Sequence, residues 1–186
     1  VRSKILPDYC TSGRDLVELA GVIVHYFSAK NVDLDNQFDL DVCRRLFMDL
    51  NRAKAEREWF MLEDNWPDGR MYASAHLMID RDGETWRLVE YDKQAYHAGA
   101  SILNGRKNCN GWTLGVELLG TQDSGFTQVQ YEKLAEVLGT LEVDADYIAG
   151  HDTVRHAAIQ AGSDKRPKYD PSGRKNGQGD NFDWPF

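Results

Sequence analysis

Five histidines stand out in this 186-residue chain as groups able to bind a metal or move a proton: His25, His76, His97, His151 and His156. His25 lies inside the apolar run Leu19–Phe27, where a neutral imidazole needs a partner for each nitrogen. A metal ion is one way to satisfy it. His151 follows Gly150 just after the short apolar segment Tyr147–Ala149, and the end of a strand is a usual seat for a functional side chain. Asp170 follows in Lys168-Tyr169-Asp170-Pro171. Two imidazoles and one carboxylate, with a fourth position open, make a catalytic zinc set. Such a set leaves the site positive, which helps to lower the pKa of a bound water. Spacing alone leaves the assignment open. The ligands do not share one helix as in H-E-x-x-H, His156 rivals His151, and Asp164 rivals Asp170.

The elements that must carry these residues are partly legible. Leu19–Phe27 is rich in β-branched and aromatic residues and predicts a buried strand. Leu40, Cys43, Leu46, Phe47 and Leu50 recur at three- and four-residue steps, predicting an amphipathic helix within 37–57 behind a possible cap at Asp39. Segments 73–79 and 84–89 flank Asp80-Arg81-Asp82-Gly83, a hairpin whose Asp-Gly pair would supply positive φ values. Residues 112–119 predict a strand that is apolar on both faces. Thr127 and Gln130 form a capping box, with Tyr131, Leu134, Ala135 and Leu138 on the buried helix face. Residues 1–18 look irregular, and the tail from Ser163 looks mostly like loop. Strands mixed with helices at this length predict one α/β domain over residues 1–186, a single mixed central sheet flanked by helices.

Composition narrows the function. A net charge of −8 argues against nucleic acid as the main partner. No segment is long and apolar enough to insert in a bilayer. The three cysteines, Cys10, Cys43 and Cys109, are odd in number and widely spaced, which argues against a disulfide framework and for a reducing compartment.

The motifs also carry a resemblance. Ser74-Ala75-His76-Leu77-Met78-Ile79-Asp80-Arg81-Asp82-Gly83 resembles the S-A-H-x-x-I-x-R-D-G hairpin of the type 2 N-acetylmuramoyl-L-alanine amidases, most closely their AmpD-like branch. Asp92-Lys93-Gln94-Ala95-Tyr96-His97-Ala98-Gly99 resembles D-K-x-A-x-H-A-G. Asn110 to Leu118 resembles N-x-x-S-I-G-I-E-L, and Val22-Ile23-Val24-His25-Tyr26 resembles the V-I-H-Y strand. Gly150-His151, Lys168-Tyr169-Asp170-Pro171 and Phe182-Asp183-Trp184 resemble the G-H, K-x-D-P and F-D-W segments. These matches occur in family order from about residue 19 onward.

The resemblance implies the fold that these amidases share with phage amidases and peptidoglycan recognition proteins, and it implies roles. His25, His151 and Asp170 would hold Zn2+. Glu117 would be the acid/base, and Lys168 would stabilise the tetrahedral intermediate. The plainer alternatives are a buried structural carboxylate at Glu117 and a surface lysine at Lys168. His76, His97, Tyr96, Arg106 and Asn110 are candidate substrate contacts. His76 and His97 match family positions and read as groups behind the ligands or on the pocket wall, with a structural role weighed at least as heavily as a catalytic one. The implied reaction is hydrolysis of the amide between N-acetylmuramic acid and L-alanine in peptidoglycan or soluble (anhydro)muropeptides. The competing functions are a non-catalytic peptidoglycan recognition module and a zinc peptidase of stem peptides.

Several features depart from the family pattern. Residues 152–166 look like an inserted loop between the second and third ligands. Residues 172–180 look like a second insertion, and 32–70 like a helical insertion or lid. Asn108 stands where a basic residue would be expected to meet the peptide carboxylate, for which Arg106 or Lys107 could substitute. With no visible signal peptide, the setting is a cytoplasmic recycling enzyme, or a phage-encoded one released to the wall at lysis. A monomer is expected.

Overall fold

The structure is a computed structural model. It describes residues 1–27, 44, 47–48, 73–99, 101–120, 125–150 and 155–156. Eleven strands are described: β1 (Arg2–Ser3), β2 (Thr11–Asp15), β3 (Gly21–Phe27), β4 (Leu77–Ile79), β5 (Thr85–Arg87), β6 (Lys93–Ala95), β7 (Ser101–Leu103), β8 (Arg106–Lys107), β9 (Thr113–Leu119), β10 (Ile148–Gly150) and β11 (Arg155–His156). One helix, α1 (Gln128–Thr140), is described whole. Arg44, Phe47 and Met48 are helical, as the periodicity over 37–57 predicts, and the rest of that segment lies outside the described residues.

Six strands form the mixed central sheet, in the order β1-β5-β4-β9-β3-β10. The β4–β5 pair is antiparallel, and the other pairings in the sheet are parallel. The central strands β3 and β9 carry apolar residues on both faces because both faces are covered. Val22, Val24, Leu77, Ile79, Val116 and Leu118 pack on Leu134, Val137 and Leu138 of α1. On the other side Phe47, from the helical segment, joins Met78, Leu88, Leu119 and Cys10. A further cluster there holds Ile23, Ala98, Leu103, Cys109, Trp112 and Ala149. Cys10 and Cys109 are buried free thiols. The described residues contain no helix long and apolar enough to cross a membrane.

The capping box forms as expected: the Thr127 hydroxyl accepts from Gln130 N and the Gln130 side chain accepts from Thr127 N. Gln130 does more. It is fully buried, and its Nε2 donates to Ile79 O at 3.2 Å and Leu119 O at 2.9 Å. It therefore fastens the start of α1 to the C-terminal ends of β4 and β9.

Three expectations are corrected. Residues 1–18 are not irregular. They hold β1, a short 3-10 turn at Asp8–Cys10 and β2, with β2 paired to β6 in a separate two-stranded sheet. The hairpin turn needs positive φ at Gly83 alone (80°), not at Asp82. Asp80 Oδ1 instead accepts from the backbone of Asp82 and Glu84, and Asp80 N donates to Glu84 O. This is the three-residue hairpin loop with a left-handed glycine. The helix face uses buried Val137 where Ala135 was expected. A third small sheet, β11-β7-β8, was not anticipated.

Replacing Gln130 with Leu should strand the carbonyls of Ile79 and Leu119 without a donor. Stability in urea should fall by about 1–3 kcal/mol. A change below about 0.5 kcal/mol, the usual surface effect, would show that the clamp contributes nothing.

Candidate active site

The site follows from one pairing. β3 and β9 run parallel and in register from Gly21 opposite Thr113 to Phe27 opposite Leu119, which sets His25 directly opposite Glu117. Side chains alternate between faces along a strand. Val22, Val24, Val116 and Leu118 point to α1, so Ile23, His25, Thr113, Gly115 and Glu117 share the other face. Met78 of β4 is the partner of Glu117 on its far side. A polar stripe thus crosses a face otherwise built from apolar clusters.

His25 is 4% exposed. Glu117 as a whole residue is half-buried, but its Oε2 is closed off and has no hydrogen-bond partner among the described residues. Burial pushes its carboxyl up to about 8 from an ordinary 4.5. An acid that exchanges its proton near neutrality, with an imidazole on the adjoining strand, suits general acid–base work.

Two further histidines stand over the same stripe. His97 Nδ1 lies 3.3 Å from His25 Nε2, and His97 Nε2 lies 3.2 Å from Thr113 O. The ring centroids of His25 and His97 are 5.4 Å apart with the planes nearly perpendicular. Gly115 makes room for this ring: a Cβ there would sit 2.5 Å from His97 Cγ. Glycine inside a strand often marks such a close approach. Asn110 Oδ1 accepts from His97 N and Ala98 N, fixing the main chain that carries the ring. His76 is wholly buried. Its Nδ1 accepts from Gly115 N at 3.0 Å, and its Nε2 donates to Lys93 O at 2.8 Å. Desolvation lowers its pKa to about 4, so it stays neutral.

Residues 17–173 match the family model described as N-acetylmuramoyl-L-alanine amidase. The chain belongs to this amidase family. It is 41% identical over 115 residues to the 1,6-anhydro-N-acetylmuramyl-L-alanine amidase AmpD of Enterobacter cloacae, a match covering 60% of this chain and 53% of that protein. The chain thus spans about half the length of the curated relatives it matches. Among solved structures it resembles a selenomethionine derivative of AmpD, with TM-score 0.61 and 26% identity over 92% of this chain and 88% of that one. It also resembles the solution structure of Citrobacter freundii AmpD, with TM-score 0.53 and 27% identity over 91% of this chain and 86% of that one. The mixed central sheet is the amidase fold.

The fold brings His25, Glu117 and His97 together. His151, Lys168 and Asp170 lie outside the described residues, as do segments 32–70 and 152–166 apart from Arg44, Phe47, Met48 and the backbone of β11. The described residues contain no cluster of three metal-ligating side chains. His76, a candidate substrate contact, is instead a buried strut with both ring nitrogens engaged by backbone. The Asn110 side-chain oxygen is likewise spent on backbone N–H groups. Tyr96 is half-buried, its N–H donating to the Ser74 hydroxyl. Arg106 stacks over Trp112 at 4.3 Å and pairs with Glu18. That is the N-terminal end of β9, away from Glu117. Asn108 sits in the left-handed region (φ 59°) as the residue before a 3-10 turn, a conformation asparagine tolerates well. Sequence reasoning gave no role to Thr113 or Gly115, although a glycine within an apolar strand was a usable signal.

Replacing Glu117 with Leu should stabilise chelator-treated protein by about 1–3 kcal/mol, the penalty of a buried polar group left unpaired. The sign has a pH signature. The folded carboxyl is raised to about 8 from 4.5, so its contribution is whole below the lower value and is lost as pH rises through the upper one. The gain should therefore grow from about pH 5 to about pH 8 in thermal or urea unfolding. A variant less stable than the parent throughout that range would show that Glu117 is structural.

Proposed function

We propose that this chain is a zinc-dependent amidase that hydrolyses the bond between N-acetylmuramic acid and L-alanine, acting on soluble anhydro-muropeptides. The observation that carries the proposal is the buried Glu117 Oε2, without a partner among the described residues, on a residue in register with His25. A carboxyl kept there without a partner among the described residues reduces stability, and a catalytic task accounts for its retention. The substrate class rests on the relatives, named as 1,6-anhydro-N-acetylmuramyl-L-alanine amidases. Of the two expected settings, a cytoplasmic recycling enzyme or a phage-encoded one, this substrate class suits the first.

The donor set suits zinc: His25, His151 and Asp170 would hold it through two imidazoles and a carboxylate, and His25 is the one of these among the described residues. β10 ends at Gly150, opposite Val24 of β3, and His151 is the next residue in the sequence. A bound ion there supplies a Lewis acid for the amide carbonyl and a lower pKa for water. Glu117 takes the proton of the attacking water and returns it to the leaving amine of L-alanine. An amine leaves an amide poorly unless it is protonated, so one group acting twice serves both halves of the reaction. Lys168 would face the negative oxygen of the tetrahedral intermediate. Residues 1–186 then act as one catalytic unit.

The test is mass spectrometry of products from a defined anhydro-muropeptide and, in parallel, from whole sacculi. Expected are an intact anhydro-muramyl lactate and a peptide with a free L-alanine amine, with soluble substrate preferred. Chelation should abolish turnover and added zinc should restore it. Glu117→Gln should keep its zinc and lose about 10²- to 10⁴-fold in kcat. Cleavage between amino acids of the stem would overturn the proposal in favour of a peptidase. Binding of muropeptide without any turnover by the zinc-loaded protein would favour a recognition module.

A further inference from the structure

We propose that His97 is a positioning residue: with the Thr113 carbonyl it forms a hydrogen-bond chain that holds His25 in its Nε2–H form and so presents Nδ1 as the ligating nitrogen. This rests on the reading of His25 as a zinc ligand.

The chain of reasoning starts at an atom with no choice. A backbone carbonyl only accepts, so His97 Nε2, 3.2 Å from Thr113 O, carries the hydrogen. The same nitrogen lies 3.4 Å from Thr113 Oγ1. That hydroxyl gives its own hydrogen to Cys109 O at 2.8 Å, so it too turns lone pairs toward His97. A neutral imidazole has a single N–H. His97 is 8% exposed and packs against two other buried histidines, and its one N–H in the neutral ring is committed at Nε2 by the two Thr113 oxygens. His97 Nδ1 is therefore an acceptor. His25 Nε2, 3.3 Å away, must donate to it, and Nδ1 of His25 is left as the acceptor nitrogen.

The seat of His97 is built to keep this geometry. Gly115 leaves no Cβ beneath the ring. Asn110 holds the His97 and Ala98 amides. The His76 ring stands at 5.6 Å in an edge-to-face arrangement, and its own nitrogens are locked to Gly115 and Lys93. Partners of this kind fix the tautomer and ring orientation of metal-binding histidines.

The experiment uses the whole protein. Long-range ¹H–¹⁵N spectra of the metal-free form report the tautomer of each histidine, and competition with a chromogenic chelator reports zinc affinity. Both are measured for wild type, His97→Phe and His97→Asn. In wild type, His25 and His97 should both be Nε2–H. His97→Phe keeps a flat ring but offers no acceptor. It should release His25 from a single tautomer and weaken zinc binding about 10- to 100-fold. His97→Asn places an amide oxygen near the position of Nδ1 and should recover most of that loss. An Nδ1–H tautomer for His25 in wild type would overturn the proposal, and that spectrum needs no variant to fold. So would a folded Phe variant with zinc affinity within about twofold of wild type, since loss of a real outer partner reaches tenfold or more. If wild type bound no zinc but both rings were Nε2–H and the Phe variant released His25, the hydrogen-bond chain would stand and the zinc amidase reading would fall.

Discussion

The in-register pairing of β3 with β9 is the constraint on which the rest depends. Because side chains alternate across a strand, slipping either strand by one residue would send His25 or Glu117 into the apolar layer beneath α1. Seven consecutive pairs, with valines and leucines on one face, make that slip expensive. The hydrophobic pattern that folds the sheet is thus the same device that holds an imidazole opposite a carboxyl.

The opposite face shows how the polar stripe is tolerated. Apolar clusters flank it, one around Met78 and Leu119 and the other around Ile23 and Trp112. Within it nearly every polar group ends on another. Thr113 bonds to Cys109, His97 to Thr113 and His25, and His76 to Gly115 and Lys93. Within the stripe, Glu117 Oε2 has no partner among the described residues. Water excluded from such a surface raises the strength of each charge–charge and charge–dipole term, so the environment that penalises the carboxyl also strengthens whatever charge or dipole approaches it.

What the sequence made legible follows from how each feature is encoded. β3, β9, the β4–β5 hairpin and the cap of α1 are written in local composition: β-branched runs, an Asp-Gly turn, Thr127 with Gln130. His25 and Glu117 were legible as polar residues inside apolar strands, which is costly without a purpose. The edges were not. β1 is two exposed residues long and β2 is mostly polar, so neither carries a hydrophobic period, and their pairing with β5 and β6 is purely tertiary. The turn conformation at Gly83 depended on which partner Asp80 chose. His76 and Asn110 were candidates through the positions they share with the family motifs, and the partners described for them are backbone atoms distant in sequence, on which side-chain identity is silent.

His76 and His97 show how two buried histidines can be wired differently. Both are buried, and both carry the hydrogen on Nε2 because that nitrogen faces a carbonyl. Burial and tautomer do not distinguish them; the second nitrogen does. In His76 it closes onto Gly115 N, so the ring joins two backbone segments and its hydrogen-bonding capacity ends there. In His97 it opens onto His25, another imidazole side chain. A ring that ends on the main chain braces the sheet, while a ring that ends on a second imidazole passes the constraint of the backbone on to another side chain. Gly115 serves both, giving its N–H to the first ring and its missing Cβ to the second, which is why one glycine in the middle of a buried strand supports the whole arrangement.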